Sequence, residues 1–329
     1  MPLPADIAAR RRATPESPAA ALRHNPGDRA WATALTLLGG ALLLLAGLIV
    51  VELGHVARPA LKDLGLGRFL LSRDWDPVTG SFGALAFVYG TVVTSVIALA
   101  IALPISVGLA LFLSEMGPKA LRPVVSFAIE TLAAIPSVVY GLWGLFVLVP
   151  LLRDAVEPIL GRTLGFLPLF AGPPIGLGYL AGGLILSVMI LPTIASVTIE
   201  VLKTVPPALR EGALALGATR WEAIRMAVLP YGRAGIVGAA LLGLGRALGE
   251  TMAVTMVIGN SPEIRASLFA PGYTLPAVIA NEFAEATSAL HIGALAGLAL
   301  VLFGITLLLN ALARLLVRAV VRGPARAAA

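Results

Sequence analysis

Six long blocks of apolar residues, each nearly free of charge, constrain what this chain can fold into more than any other feature. A membrane-spanning helix needs about 20 consecutive apolar residues, and every block reaches that length. Such segments are helices because lipid cannot satisfy free backbone groups, and the alternating pattern of barrel strands is missing. We therefore predict an all-α polytopic membrane protein with about six transmembrane helices. The blocks occupy residues 31–51, 82–113, 124–152, 175–202, 232–259 and 292–317.

The amino-acid composition excludes several classes of protein. Apolar residues make up 58% of the chain and charged residues 13%, whereas soluble domains average about 45–50% and about 25%. A soluble globular enzyme and a disordered chain are both excluded on this ground. The sequence has no cysteine and only three widely spaced histidines, so we expect no disulfide framework, no thiol nucleophile and no metal site.

The blocks divide the chain into four segments. Residues 1–30 are rich in Arg and Pro without an apolar period, which predicts a flexible cytoplasmic tail. Residues 31–81 contain the first helix and an external loop, residues 82–318 the main transmembrane domain, and residues 319–329 a C-terminal cytoplasmic tail. The first block is too long for the apolar core of a signal peptide, which has about 7–15 residues, so we expect it to remain as a membrane span.

The distribution of positive charge predicts the orientation. Of the 24 Lys and Arg residues, 16 lie in the termini and in the loops at 114–123 and 203–233, 7 lie in the alternate loops, and Arg246 lies inside the fifth block. Cytoplasmic loops carry the excess of Lys and Arg, so we expect both termini on the cytoplasmic side of a bacterial inner membrane. The formal net charge of +6 is then an orientation signal, and we expect no nucleic-acid partner.

The longest cytoplasmic loop, at 203–230, is predicted to begin with a short helix. Pro206 and Pro207 end the fourth transmembrane helix and begin a new one, because proline is excluded from helix interiors but fits the first turn. The new helix is predicted over residues 208–216. Gly217 ends it, since glycine readily adopts the left-handed conformation of a helix terminus.

A second short helix is predicted in the same loop. Thr219 and Glu222 have the spacing of a capping box, in which each side chain satisfies a free backbone amide of the other residue. The helix would run over 220–228 and end before Pro230. A loop that only connects two spans is usually far shorter, so we interpret this helix–turn–helix as a docking surface for another protein.

The fifth block contains an ionisable pair inside the predicted membrane span. Arg246 falls at the midpoint of the block, and Glu250 follows one helical turn later, which would place both side chains on one helix face. A central Arg costs roughly 2.5–3.5 kcal/mol on insertion scales. Intramembrane charges usually mark a pathway, and the alternative is an internal ion pair that neutralises itself.

The chemistry of this pair suits a protonated tetrahedral oxyanion. A guanidinium offers a planar donor fork that fits phosphate, and phosphate near neutral pH retains a P–OH group that can donate to a carboxylate. Sulfate has no such proton and would leave the carboxylate without a hydrogen-bond donor, which disfavours the binding of sulfate. The candidate substrate-binding residues are Arg246, Glu250 and the adjacent Thr251.

The chain lacks a nucleotide-binding loop of the G-x-x-x-x-G-K-[ST] type, because none of its three lysines follows a glycine. That loop is what cradles the phosphates of ATP in many ATPases. We therefore expect ATP to be hydrolysed by another subunit, and we expect this chain to bind no cofactor of its own.

The long cytoplasmic loop resembles the Glu-Ala-Ala signature of ABC importer permeases, with Gly212 and Ala227 as departures from it. The positions that match in register are Glu211, Ala213, Gly217, Leu229 and Pro230. The resemblance implies a type I, MetI-like permease architecture in which this loop is a coupling helix seated in a groove of an ATPase subunit. The residues that we expect to carry the coupling are Glu211, Ala213, Gly217, Thr219, Arg220, Trp221, Leu229 and Pro230.

Other segments are similar to phosphate-specific ABC permeases of the PstC type. The likeness extends over about 69–317, and it implies that Arg246 and Glu250 are important for the passage of phosphate. The implied partners are a PstA-type permease, two copies of a PstB-type ATPase that binds ATP and Mg²⁺, an external PstS-type phosphate-binding protein, and membrane lipid. The segments that carry the likeness are 74–77, 135–144, 243–254 and 281–286.

Two alternatives remain open at this point. The first is a permease for another oxyanion, such as sulfate or molybdate. The second is a membrane sensor or scaffold in phosphate signalling that transports nothing. The predicted docking loop favours an ATP-driven importer over the second alternative.

Overall fold

The computed structural model describes residues 26–118 and 120–322. Residues 1–25 of the tail predicted over 1–30, and the last residues, 323–329, lie outside this part. By contacts the chain divides after Glu52 into two units, of which the first contributes the beginning of α1. The helices are α1 (Pro26–Leu64), α2 (Leu66–Leu71), α3 (Leu85–Met116), α4 (Leu121–Ala134), α5 (Ser137–Leu164), α6 (Tyr179–Lys203), α7 (Pro207–Ala215), α8 (Arg220–Leu248), α9 (Met252–Val257), α10 (Leu275–Glu282) and α11 (Ala289–Arg322), and the strands are β1 (Trp75–Asp76) and β2 (Ser81–Phe82).

The predicted all-α membrane architecture is confirmed. Within the described part, α1, α3, α5, α6, α8 and α11 are long and apolar enough to cross a membrane. Both terminal helices are longer than the sequence suggested: α1 begins at Pro26, inside the segment expected to be a tail, and α11 continues to Arg322. The only strands in the described chain form a two-stranded antiparallel hairpin, β1–β2.

Helix α6 is the centre of the second unit and is the most buried of the six candidate spans. Ile185, Ile190 and Ile194 are fully buried along it, and α3 and α8 pack against it. A Cβ added to Gly243 of α8 would lie 2.6 Å from Ile194 Cγ1. The absence of a side chain there lets α8 approach α6, as small residues do between helices in lipid.

The third apolar block is not one helix, contrary to the prediction of a span over 124–152. It is broken at Ile135 and Pro136, where Ile135 is extended with φ −67° and ψ 128°. The residue before a proline is disfavoured in the α-helical region, which explains the break. Helix α4 lies before it, and the membrane-spanning helix is α5, which runs on to Leu164.

Pro230 does not end the helix that begins at Arg220, contrary to the prediction. In the preceding turn the Leu229 amide donates to the Ile224 carbonyl, five residues back. A proline in an α-helix clashes with the carbonyl four residues back, and a widened turn of this kind changes that spacing. The same widened turn precedes three other prolines of the described chain: Pro118, Pro150 and Pro158.

The fifth apolar block is also interrupted, although it was predicted as one span over 232–259. Helix α8 ends at Leu248, and the short helix α9 begins at Met252. Gly249 lies at the end with φ −94° and ψ 0°. The membrane-crossing part is therefore the α8 segment, which starts twelve residues earlier than the predicted block.

Candidate functional site

Arg246 lies in the last turn of α8, next to the break in the helix. The structure thus corrects its predicted place at the middle of a span. A helix C-terminus carries partial negative charge, which stabilises a cation there. The side chain is exposed, and in the described part of the chain it forms no ion pair.

Glu250 lies in the break itself and is partly buried. Its Oε1 accepts a long hydrogen bond of 3.4 Å from the Ala253 amide, at the start of α9. Because α8 has already ended, Arg246 and Glu250 are not one turn apart on a helix face as predicted. No ion pair joins them among the described contacts, so the two charges have not neutralised each other.

Thr251 is the third candidate and the residue that precedes α9. Its hydroxyl donates a long bond of 3.4 Å to the Gly249 carbonyl, and its own carbonyl accepts the Thr255 hydroxyl at 2.8 Å. The break therefore presents a guanidinium, a carboxylate and a hydroxyl within six residues of chain. In secondary transporters, substrate sites are typically formed by interrupted helices of this kind.

The second break, at Pro136, is adjacent to the first. A Cβ added to Gly141 in α5 would lie 3.1 Å from Ala253 Cα in α9, so the beginnings of these helices are in close contact. Tyr140 is buried one residue before, donates its hydroxyl to the Leu132 carbonyl at 2.7 Å, and lies within electrostatic range of Arg246. In the sequence, Tyr140 was noted only as part of segment 135–144, which resembles PstC-type permeases. The signal for the break was Pro136, because a proline disfavours the α-helical conformation of the preceding residue, Ile135.

The predicted coupling loop has its expected turn and helix cap, although its second helix continues through Pro230. Helix α7 ends before Gly217, which has φ +87°, and Thr219 and Glu222 form both bonds of the capping box. No residue of α7 is buried. Leu216 is 91% exposed and Trp221 54% exposed.

The remaining coupling candidates have different environments. Glu211, Arg220 and Pro230 are exposed, whereas Ala213 and Leu229 are partly buried. Leu229 packs against a small core around Leu202 and Val228 at the end of α6. The exposed residues are available to a partner, while Leu229 anchors the loop to the membrane helices.

An ion pair that the sequence did not indicate holds α7 in place. The Arg210 guanidinium donates to both carboxylate oxygens of Glu115 at the end of α3, with Nη2–Oε1 at 2.7 Å and Nε–Oε2 at 3.0 Å. It also donates to the carbonyls of Val205 and Leu202, at 2.6 and 2.9 Å. Arg210 thereby ties the coupling helix to α3 and to the end of α6, across 95 residues of sequence.

Two of the segments that resemble PstC-type permeases, 74–77 and 281–286, lie together. Trp75 Nε1 donates to Glu282 Oε2 at 2.9 Å, and His291 Nε2 lies 3.0 Å from the same oxygen. Trp75 contacts Phe82 edge-on at 4.8 Å. In the adjoining turn, the Thr79 hydroxyl and the Val78 amide donate to Asp76 and hold the pKa of that carboxyl below its usual value. Within the described residues, no cluster of three His, Cys, Asp or Glu side chains is arranged to hold a metal.

The family to which the chain belongs follows from comparison with known proteins. Residues 102–323 match the family described as binding-protein-dependent transport system inner membrane component. A phosphate transport system permease protein PstC from Mesorhizobium japonicum is 50% identical over 276 residues, 83% of this chain and 84% of its own length. The PstC of Haemophilus influenzae is 49% identical, over 87% of this chain and 90% of its own. This chain belongs to the PstC family of permeases.

Solved structures show the same fold at low sequence identity. A bacterial alginate ABC transporter, solved with a pentasaccharide-bound periplasmic protein, aligns with a TM-score of 0.56 at 19% identity, over 88% of this chain and 96% of its own. The MetNI methionine ABC transporter, in an inward-facing conformation, aligns with a TM-score of 0.53 at 20% identity, over 75% of this chain and 99% of its own. The predicted type I permease fold is confirmed, and the chain is a multi-pass membrane subunit of an ABC importer.

Proposed function

We propose that this PstC-family chain is the transmembrane permease subunit of an ATP-driven importer of inorganic phosphate, and that it forms the translocation pathway with a second permease subunit. The relatives at about 50% identity are named for phosphate transport. The single observation that carries the site is the exposed, unpaired Arg246 at the break between α8 and α9, with Glu250 close by in sequence.

The selectivity follows from the two charges. The Arg246 fork binds two oxygens of the anion, and Glu250 accepts a hydrogen bond from the remaining P–OH group. A fully ionised sulfate or molybdate meets an unpaired carboxylate instead, and an unmet buried acceptor lowers affinity strongly. The same carboxylate therefore selects phosphate and disfavours the alternative oxyanions.

The partners of the proposed importer follow from the family and from the chain's own chemistry. We expect a PstA-type permease, two PstB-type ATPase subunits that bind ATP and Mg²⁺, and an external PstS-type binding protein. The chain itself binds no cofactor in this proposal. The excess of Lys and Arg in alternate loops supports cytoplasmic termini in a bacterial inner membrane, which puts α7 on the side of the ATPase.

The proposed mechanism couples α7 to the helix break. ATP binding closes the ATPase dimer, and α7 moves with the surface on which it is seated. Because α8 begins in the same loop and ends at Leu248, two residues after Arg246, motion of the loop changes the direction in which the site faces. A transport cycle requires two states that make different contacts with the ligand. The broken α8–α9 segment is the part of the chain that differs between these states.

The substrate site is tested with Arg246→Gln in the complete transporter reconstituted in liposomes with the binding protein. Loss of the guanidinium should abolish uptake of radiolabelled phosphate while the ATPase still co-purifies. Arg225→Gln is the matched control, because Arg225 is another exposed arginine of the same helix. Normal uptake by Arg246→Gln would refute the assignment, and assembly without phosphate uptake by the unaltered transporter would favour a sensor or scaffold.

The role of Glu250 is tested by competition. Glu250→Gln replaces the carboxylate with an amide, which does not require a hydrogen-bond donor on the anion. Phosphate uptake should become inhibitable by sulfate, whereas unaltered protein should resist it. If unaltered protein is already inhibited equally by sulfate and phosphate, the permease handles oxyanions without this selection.

The docking surface is tested with Trp221→Ala. Removal of this half-exposed aromatic should weaken co-purification of the ATPase in detergent. Val78→Ala serves as the control, because Val78 is 94% exposed on the β1–β2 hairpin far along the chain. Undiminished ATPase binding and ATP-coupled uptake in Trp221→Ala would remove Trp221 from the interface.

A further inference from the structure

A cavity of about 420 Å³ lies beside the coupling helix, apart from the site at the break between α8 and α9. Its cationic residues come from three elements: Arg122 from α4, Lys203 from the end of α6, and Arg210 from α7. Ser114 and Ser126 add hydroxyl groups to the wall. The cavity therefore combines an apolar wall with cationic and hydroxyl groups, and it is large enough for a tetrahedral anion with a substituent.

The three cations do not contribute equally. Arg210 is neutralised by Glu115 through two bonds and is further held by backbone carbonyls. Lys203 is paired with Glu200 at 2.8 Å on the exposed rim. Arg122 has no acidic partner among the described ion pairs. The uncompensated charge of the cavity therefore belongs to Arg122.

Arg122 also has an unsatisfied donor. Its Nη2 donates to the Ser114 carbonyl at 3.2 Å, but its buried Nε has no hydrogen-bond partner. A buried donor without a partner is energetically unfavourable, and more so when the group is charged. An anion that accepts from Nε would remove this cost, and the guanidinium fork matches the geometry of a phosphoryl group.

Acidic side chains determine where such an anion is held. Glu130 and Glu200 line a smaller neighbouring cavity of about 150 Å³, which shares Ser126 and Lys203 with the first. Their charge repels an anion from that side. Glu115 is occupied by Arg210. The favourable position is therefore between Arg122, Ser126 and the Lys203 ammonium group.

We propose that this cavity is a second anion site, which binds a phosphoryl group at the cytoplasmic end of the helices. Free inorganic phosphate and the headgroup of an anionic phospholipid share the required chemistry. An anion bound there connects α4, α6 and α7, so its occupancy braces the coupling helix against the transmembrane core. The site is separate from the proposed translocation site and does not rest on it.

The test uses the full chain in an Arg246→Gln background, which removes the proposed translocation site. In nanodiscs of phosphatidylcholine, this variant should still bind radiolabelled inorganic phosphate saturably. Adding Arg122→Gln should weaken that binding about tenfold or more, because a charge-assisted bidentate contact is lost. Adding Arg225→Gln, at an exposed arginine outside the cavity, should leave it unchanged.

Two further measurements keep the test decisive. Lys203→Gln replaces an exposed rim residue, and it should weaken phosphate binding several-fold without lowering the melting temperature. Replacing phosphatidylcholine with phosphatidylglycerol separates the two sources of the phosphoryl group. The lipid headgroup is assigned as the occupant if phosphatidylglycerol competes with phosphate, and if native mass spectrometry detects a retained phosphatidylglycerol that Arg122→Gln loses. If phosphate binding persists in phosphatidylglycerol nanodiscs without competition from the lipid, free phosphate is assigned as the occupant. If neither ligand responds to Arg122→Gln and Lys203→Gln in folded protein, the proposal is overturned.

Discussion

The ion pair between Arg210 and Glu115 should determine the local stability of the coupling helix. Arg210→Gln removes the two-pronged contact with Glu115 and the bonds to the carbonyls of Leu202 and Val205. It leaves a Glu115 side chain that is only 10% exposed without a cation. Breaking a fully buried pair costs about 3–5 kcal/mol. Because the Arg210 side chain is 26% exposed, solvent screening reduces this to about 2–3 kcal/mol.

The expected loss is local, since few apolar contacts hold α7. Hydrogen exchange monitored by mass spectrometry reports such local opening. A change of about 2–3 kcal/mol corresponds to about 30- to 150-fold faster exchange at hydrogen-bonded amides of the loop, such as Leu216 and Ala218. Peptides from α6 should exchange as before.

Two controls separate the ion pair from a general effect of losing charge. Arg225→Gln, at an exposed arginine of the same loop region, should leave exchange unchanged. A double-mutant cycle with Glu115→Gln should give a coupling energy of at least about 1 kcal/mol. Unchanged exchange in Arg210→Gln, or additive effects in the cycle, would refute the view that this pair anchors the loop.

Three other substitutions have clear expected outcomes. Gly217→Val should destabilise the coupling loop by about 1–2 kcal/mol through backbone strain at φ +87°, seen as faster hydrogen exchange. Because a Cβ there has open space, strain is the only expected cost, and an unchanged exchange rate would argue against it. Thr219→Ala should cost about 1 kcal/mol by loss of the helix cap, measured in the same way, with Thr219→Ser as the near-neutral comparison. Glu282→Leu should free Trp75, which loses its acceptor at 2.9 Å, and a red shift of Trp75 fluorescence would report it; an unshifted spectrum would mean that packing alone holds the indole.

The turn and the helix cap of the coupling loop were predicted correctly because their signals are local. A left-handed glycine and a capping box depend on backbone geometry within a few residues, so Gly217, Thr219 and Glu222 were assigned correctly without tertiary information. The membrane architecture was equally accessible, because apolar length alone decides whether a helix can cross lipid.

The sequence did not predict where long apolar blocks are interrupted. Hydropathy is continuous across Pro136 and across Gly249, so each block was interpreted as one span. The stop at Pro136 follows from a steric rule that was available. Pro230 shows the reverse case, because a widened turn before it lets the helix continue, and nothing in the apolar pattern distinguishes the two prolines.

Composition and local patterns are enough to show that this chain is a helical membrane protein, how its charge is distributed among the loops, and which residue types are available for an anion. Tertiary packing adds that Arg246 lies at a helix end, that Arg210 pairs with Glu115 across 95 residues, and that Arg122 lines a cavity with an unsatisfied donor. The physical reason is range: propensity, capping and hydropathy act over a few residues of chain, whereas ion pairs and cavities depend on which distant segments pack together.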